Sequence, residues 1–251
     1  MENNVTIVWS FRNRIDVLKK SILSADKTTP KNVNFCLVDA ASTDETIKEL
    51  RDFCNKIDNR IIRICESAYR TSLSEAWNLG MMLSDSRYVI FSSSDVEFIS
   101  DAWFKVITST NSEYVLLENH AVFLIDKLSI PSLGWFDEGF LSGPHFDVDY
   151  MIRASENNIR FSIIQNLGYY LHGDTEEETI SRTTSEVEDR LPMNTLENEE
   201  YFMSKWQSGW PGWRNHLNSV HKPHPPTHIT QVQRKVSEID PHPLYTKKYV
   251  K

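Results

Sequence analysis

Residues 87–98 read R-Y-V-I-F-S-S-S-D-V-E-F. Tyr88 to Phe91 form a short apolar run, β-branched and aromatic, bounded by polar residues, which is the pattern of a strand buried in an α/β sheet. The run halts on Ser92, Ser93, Ser94 and Asp95. In open α/β sheets, ligands sit beyond the carboxyl ends of strands, where side chains leave the core. A carboxylate there is placed to hold a divalent cation against a phosphate-bearing substrate. Read alone, Asp95 suits the cap of a Ser-rich turn equally well.

Outward from this stretch, strand and helix alternate. Val5 to Trp9 is a strand ending at S-F-R-N-R, and apolar residues at 15, 18, 22 and 23 follow at helical spacing. Val33 to Val38 is a second strand, ending on Asp39. Thr43 is the expected cap of the next helix, with Asp44 and Glu45 in its first turn and Ile47, Leu50, Phe53 and Cys54 on its buried face. Arg60 to Cys65 is a third strand and Ser72 to Ser84 a third helix, so the opening stretch is the fourth strand. This rhythm predicts a mostly parallel sheet with right-handed crossovers. No G-x-G-x-x-G and no P-loop occurs.

After Phe98 the rhythm changes. A short helix is expected over 101–109, then two close, antiparallel strands over 114–117 and 121–125. A Gly-rich aromatic loop follows (134–144), then a helix over 145–157, and strands over 159–164 and 169–171 that complete the sheet. Residues 176–200 are acidic and weakly apolar, with one short helix over 196–205.

Composition bounds the class. At 251 residues, 40% hydrophobic and 25% charged, the chain suits one sizeable α/β domain with a tail. No apolar run approaches a bilayer span, and the start M-E-N-N-V lacks the regions of a signal peptide. Cys36, Cys54 and Cys65 lie in expected core elements without metal-ligand spacing, which suits a reducing cytoplasm. The charge is uneven. Residues 201–251 hold eight Lys or Arg against Glu238 and Asp240, a net of +6, which leaves −14 on the first 200 residues of a chain at −8. The body therefore repels a polyanion while the tail attracts one.

From Val5 to about Lys205 the chain resembles the family 2 glycosyltransferases of the GT-A fold. V-D-A-A-S-T-D-E-T (38–46) resembles the family's V-D-x-x-S-x-D-x-T, and S-E-A-W-N-L-G-M (74–81) its A-x-N-x-G-I helix. F-S-S-S-D-V (91–96) falls where the family carries Asp-X-Asp. G-W-F-D-E-G-F (134–140), followed by F-D-V-D-Y-M-I-R (146–153), resembles G-x-F-D-E-x-F followed by E-D-x-D-L-x-x-R. Two departures stand out: Ser93 replaces the first Asp of Asp-X-Asp, and Phe146 replaces the Glu of the Glu-Asp pair.

The resemblance implies an α/β GT-A domain over 1–205, a C-terminal extension over 206–251, and transfer of a sugar from a nucleoside diphosphate sugar to an acceptor hydroxyl. On the donor side it implies Asp39 accepting the uracil N3–H, Arg70 and Phe11 near the base, and Arg14 pairing with phosphate or bracing Asp39. Ser10, Asn78, Ser94 and Asp95 complete that side. It implies Mn2+ or Mg2+ held by Asp95 and His172, the latter following the last core strand. Asp147 is the implied general base, which means direct displacement with inversion. Trp135, Asp149, Trp210 and Trp213 are expected at the acceptor, with Asp149 also able to brace Arg153. The acceptor is a glycan or small molecule. Two alternatives stay open: transfer to modified bases of DNA gripped by the basic tail, and an inactive nucleotide-sugar-binding relative. The extension is also a candidate surface for self-association.

Overall fold

A computed structural model describes residues 4–68, 71–117, 121–140, 145–164, 169–171, 195–206 and 246–250. Its first half alternates β1 (Val5–Phe11), α1 (Ile15–Thr28), β2 (Asn34–Asp39), α2 (Asp44–Cys54), β3 (Ile62–Glu66), α3 (Leu73–Leu83) and β4 (Tyr88–Ser93). Then follow β5 (Val96–Phe98), α4 (Ala102–Ser109), β6 (Tyr114–Leu117), β7 (Val122–Asp126), a 3-10 turn (Lys127–Ser129) and α5 (Ile130–Leu133). The last described elements are α6 (Phe146–Glu156), β8 (Phe161–Ile164), β9 (Tyr169–Leu171), α7 (Thr195–Trp206) and β10 (Thr246–Val250).

The main sheet runs β10-β3-β2-β1-β4-β7-β6-β8. β3, β2, β1 and β4 are parallel, β7 is antiparallel to both β4 and β6, and β8 returns parallel to β6. The expected antiparallel pair over 114–125 is therefore present. One expectation needs correcting. Residues 169–171 do not join this sheet; β9 pairs antiparallel with β5 in a sheet of its own. Val96 to Phe98 was hidden in the sequence because three residues after a turn carry too little periodicity to read as a strand.

Both faces of the sheet are covered, which is why its strands read as continuous apolar runs. Val5, Ile7, Trp9 and Phe11 of β1 point to a core shared with α1, α2 and α4. Val8, with Cys36 and Val38 of β2 and Phe91 of β4, points to the opposite core beneath α3, α5 and α6. Helix starts follow local chemistry. The Thr43 hydroxyl accepts the Thr46 N–H at 3.4 Å. Ser72 and Glu75 form a reciprocal capping box, with Ser72 N–H to Glu75 Oε2 at 2.7 Å and Glu75 N–H to Ser72 Oγ at 3.2 Å.

The boundary expected after Lys205 falls between two buried side chains, Lys205 and Trp206. Further on, β10 lies antiparallel on the edge of β3, Thr246 opposite Glu66. The body and the last described residues thus share one sheet.

Gly80 lets α3 lie close on β1. A Cβ there would stand 2.2 Å from Val8 Cγ1, and valine has one stiff χ1 with which to move away. G80A is expected to lose about 1–3 kcal/mol of unfolding free energy as an overpacked core substitution. In urea titrations the V8A/G80A pair should cost less than the sum of the two single changes, because each opens or fills the same space.

Candidate active site

The sheet changes direction at β1: β2 and β3 lie to one side, β4 to the other. Chains leaving β1 and β4 therefore diverge, and a crevice opens at their carboxyl ends. Register fixes what borders it. Phe11 stands beside Asp39, Asp39 beside Glu66, and Ser10 beside Ser93.

The loops after β1 and β2 are tied to one another. Ala40 N–H donates to the Phe11 carbonyl at 2.9 Å, Asn13 N–H to Ser42 Oγ at 2.7 Å, and Thr43 N–H to Asn13 Oδ1 at 3.0 Å. Arg12 Nη1 donates to the carbonyls of Ala40, at 3.1 Å, and Ala41. Asn13, Arg14 and Ala41 hold left-handed backbone, with φ of 51°, 50° and 62°. Each such non-glycine residue costs on the order of 1–2 kcal/mol, and strain of this kind gathers at functional loops.

Asp39 is 2% exposed. The Ser42 N–H donates to both of its oxygens, at 3.0 and 3.2 Å. Burial raises its pKa above the ordinary carboxylate value, the bonds from Ser42 oppose that rise, Glu66 adds to it and the Arg12 charge opposes it. The cation whose charge acts on Asp39 is thus Arg12; of the two roles expected for Arg14, phosphate pairing or a brace to Asp39, this bears only on the second, and Arg14 sits at the start of α1. Arg12 and Arg14 flank Asn13 in one short loop, and nothing in their order says which one turns inward. Phe11, expected against a base, packs into the core at 3% exposure. Ser10 is half-buried at the end of β1.

On the other side of the crevice, Ser94 is half-buried and Asp95 8% exposed in the turn between β4 and β5. β5 then meets β9, with Val96 opposite Leu171. His172 itself lies outside the described residues, as do Arg70, Trp210 and Trp213, and with the last two the expected tail contacts to an acceptor, DNA or a second copy. Among the described residues no group of three or more His, Cys, Asp or Glu side chains gathers as a metal centre. Asp95 is the oxygen donor that the described part of the crevice offers at this position. One carboxylate fits a hard cation if a diphosphate and further donors complete its shell.

α6 forms a wall beside α3, the Phe146 ring 5.2 Å from that of Trp77. It starts at His145, which is left-handed at φ 86° and whose imidazole burial holds below its ordinary pKa against the pull of Asp147 and Glu199. Asp147 is half-buried in the first turn, its Oδ1 accepting the Val148 N–H at 2.8 Å. Asp149, two residues on, is fully buried. Arg153 Nε donates to its Oδ2 at 2.9 Å and Trp206 Nε1 to its Oδ1 at 3.0 Å, while Lys205 Nζ lies 2.8 Å from Oδ1. Burial pushes its carboxyl up, but the Arg153 and Lys205 charges outweigh this and hold it below the usual range. Its oxygens are therefore turned to internal partners, and its expected acceptor contact finds no exposed surface.

Asn78 also has an inward role where a donor contact was expected. It is fully buried; its Nδ2 donates to Phe136 O (2.9 Å) and Glu138 Oε1 (2.8 Å), and its Oδ1 accepts the Phe136 N–H (2.9 Å). It pins the loop that presents Trp135, which is half-buried. Sequence reasoning quoted Asp137 within a motif without a role and passed over Tyr201. Both meet in this wall, Tyr201 Oη donating to Asp137 Oδ2 at 2.9 Å.

No helix among the described residues is long and apolar enough to cross a membrane. Residues 6–123 match the glycosyl transferase family 2 model. The UDP-Glc:alpha-D-GlcNAc-diphosphoundecaprenol beta-1,3-glucosyltransferase WfaP of Escherichia coli is 32% identical over 120 residues, covering 47% of this chain and 43% of that protein. The chain thus spans less than half the length of that curated relative. Among solved structures, GalNAc-T7 with UDP, GalNAc and Mn2+ aligns at TM-score 0.61 and 14% identity over 86% of this chain and 50% of that one. S. aureus TarS 1-349 aligns at TM-score 0.57 and 15% identity over 87% and 75%. A mannosyltransferase from Pyrobaculum calidifontis, PcManGT, in complex with GDP-Man and Mn2+, aligns at TM-score 0.58 and 13% identity over 66% and 55%. At such identities these likenesses show the GT-A fold, and residues 6–123, a little under half of the chain, carry the match to glycosyl transferase family 2.

Proposed function

We propose that this protein moves a sugar from a UDP-sugar to an acceptor hydroxyl, with inversion at the anomeric carbon. The observation that carries the reading is the pair of buried carboxylates, Asp39 and Asp95, at the carboxyl ends of β2 and β4 on either side of β1. Asp39 accepts the uracil N3–H, a donor set between two carbonyls that a carboxylate recognises. Two of the matched proteins support uridine, WfaP being named for UDP-Glc and TarS solved with UDP-GlcNAc, while PcManGT holds GDP-Man.

Asp95 and His172 would hold Mn2+ or Mg2+. The pairing of Val96 with Leu171 supports this, since Asp95 directly precedes one partner and His172 directly follows the other. A bound cation neutralises charge that grows on the departing diphosphate. The chain's own residues do the rest. Ser10 and Ser94 border the donor, Arg12 and Arg14 lend the β1 loop positive charge, and Asp147 takes the acceptor's proton as the hydroxyl oxygen attacks C1 from the face opposite the leaving group. One base on the acceptor side is what a single displacement requires. All of these groups lie within residues 1–205.

UDP release from UDP-glucose and from UDP-GlcNAc, with Mn2+ and with EDTA, tests the reading. The wild type should turn over at least one of them with Mn2+ and lose turnover in EDTA. D95A should lose about 100-fold or more, the scale set by removing one electrostatic stabiliser. D147N should keep calorimetric UDP affinity and lose about 100-fold in rate. Full activity of the wild type in EDTA removes the metal, and full activity of D147N removes the base.

Asp39 separates stability from binding. Its folded pKa lies above the unfolded value, so its contribution to stability is most favourable below about pH 4 and is lost as pH rises through the folded pKa. D39N cannot ionise and keeps one oxygen for the Ser42 N–H. In thermal melts without ligand it should match or exceed the wild type at pH 7, and its advantage should shrink toward pH 4. Its UDP affinity should fall about 10- to 100-fold, the worth of a hydrogen bond to a charged group.

A further inference from the structure

The wall behind Asp147 contains a charge network that the donor chemistry does not use. Asp137, Asp149, Arg153 and Lys205 all have buried side chains, at 0 or 1% exposure. Lys205 Nζ bridges Asp137 Oδ2 and Asp149 Oδ1. Arg153 Nη1 donates to the carbonyls of Leu133 and Trp135, at 2.8 and 2.9 Å. Tyr201 holds Asp137 from the same helix as Lys205, and Gly139 N–H donates to Asp137 Oδ1 at 2.8 Å. A Cβ at Gly139 would stand 2.6 Å from the Tyr201 oxygen, so this loop closes directly on α7. Phe140, Phe202 and Trp206 seal the group with apolar surface.

The two acids and two bases balance in charge. They join three separate segments: the 134–140 loop, α6 and α7. Every member lies beyond residue 123, outside the part that the family model matches. Desolvating four charges is costly, and apolar side chains of similar volume often hold a core as well or better. What ion pairs add is direction, because each hydrogen bond fixes an atom where a methyl group only fills space. The atoms fixed here belong to the first turns of α6, two residues from Asp147, and to the loop that carries Trp135.

We propose that Lys205 is a positioning residue for sugar transfer: by bridging Asp137 and Asp149 from α7, it sets where the Asp147 carboxylate stands against the acceptor. The proposal rests on Asp147 as the base. Lys205 touches neither donor nor acceptor. Its influence passes through Asp149 along one turn of helix, and a displacement of about 1 Å at a reacting group is enough to cost about 100-fold in rate.

The test uses the full chain, with Mn2+ and whichever of UDP-glucose and UDP-GlcNAc the wild type turns over faster. D137N/K205M removes one acid and one base together, so no net charge is left buried. The rate of UDP release is divided by the number of UDP-binding sites found by calorimetry, which discounts unfolded molecules. The double variant should bind UDP within about twofold of the wild type and release it about tenfold or more slowly per site at saturating donor. Y201F deletes a single hydroxyl from the shell of Asp137 and stands in where the double variant does not fold; its rate per site should fall about threefold. K205R, which keeps the charge, should lose less than D137N/K205M, or less than K205M. An unchanged rate per site in D137N/K205M, or in Y201F where the double variant is unfolded, overturns the proposal. D147N run alongside separates the failures: if it is fully active, the base assignment has failed, and if it is dead while D137N/K205M is normal, Lys205 alone has been misread.

Discussion

The reversal of chain direction at β1 is the constraint from which the site follows. A parallel sheet wound first to one side of β1 and then to the other leaves the carboxyl ends of β1 and β4 without a connecting segment across them. Backbone N–H groups and carbonyls exposed there must find partners. Here the loops after β1 and β2 satisfy each other through Asn13, Ser42, Thr43 and Arg12. Left-handed backbone at Asn13, Arg14 and Ala41 accompanies that interlock. The same geometry buries Asp39, and that burial raises its carboxyl although its oxygens accept the Ser42 N–H.

The acceptor wall solves the opposite electrostatic problem. Asp149 is more deeply buried than Asp39, yet its pKa is depressed, because Arg153 and Lys205 both face it. Two acids on two sides of one domain thus carry opposite shifts: at Asp39 burial and Glu66 outweigh the Ser42 bonds and the half-buried Arg12, whereas at Asp149 two buried cations outweigh burial. A carboxylate whose pKa the fold leaves raised has the character of a binding group, whereas one saturated by buried cations has the character of a brace.

The strands and helices of the first half were legible because each carries a complete local signal. An apolar run, a polar stop and a helical repeat with its cap stand side by side, as at Val33 to Cys54, and the Thr43 and Ser72 caps lie where the hydroxyls are. The pairing of 169–171 with 96–98 was not legible, since strands of three residues leave pairing to tertiary context. The roles of Asn78 and Phe11 turned on which way a side chain faces, whereas the brace between Asp149 and Arg153, one helical turn apart, was legible. Asn78 belongs to a motif that reads as donor-binding, yet both ends of its amide are spent on the backbone at Phe136 and on Glu138, 58 and 60 residues away. The buried pairing of Lys205 was not legible because its partners lie 56 and 68 positions earlier, and no local pattern reports such a contact.

Hydrogen exchange of the full chain with and without UDP and Mn2+ tests the central claim most directly, that the donor lies in the crevice at the carboxyl ends of β1, β2 and β4. The account predicts slowed exchange in peptides over 10–14, 39–43 and 92–98, and no change over 57–61 at the opposite, amino end of β3. Protection confined to 57–61, or calorimetric binding of UDP that leaves 10–14, 39–43 and 92–98 unchanged, would contradict it.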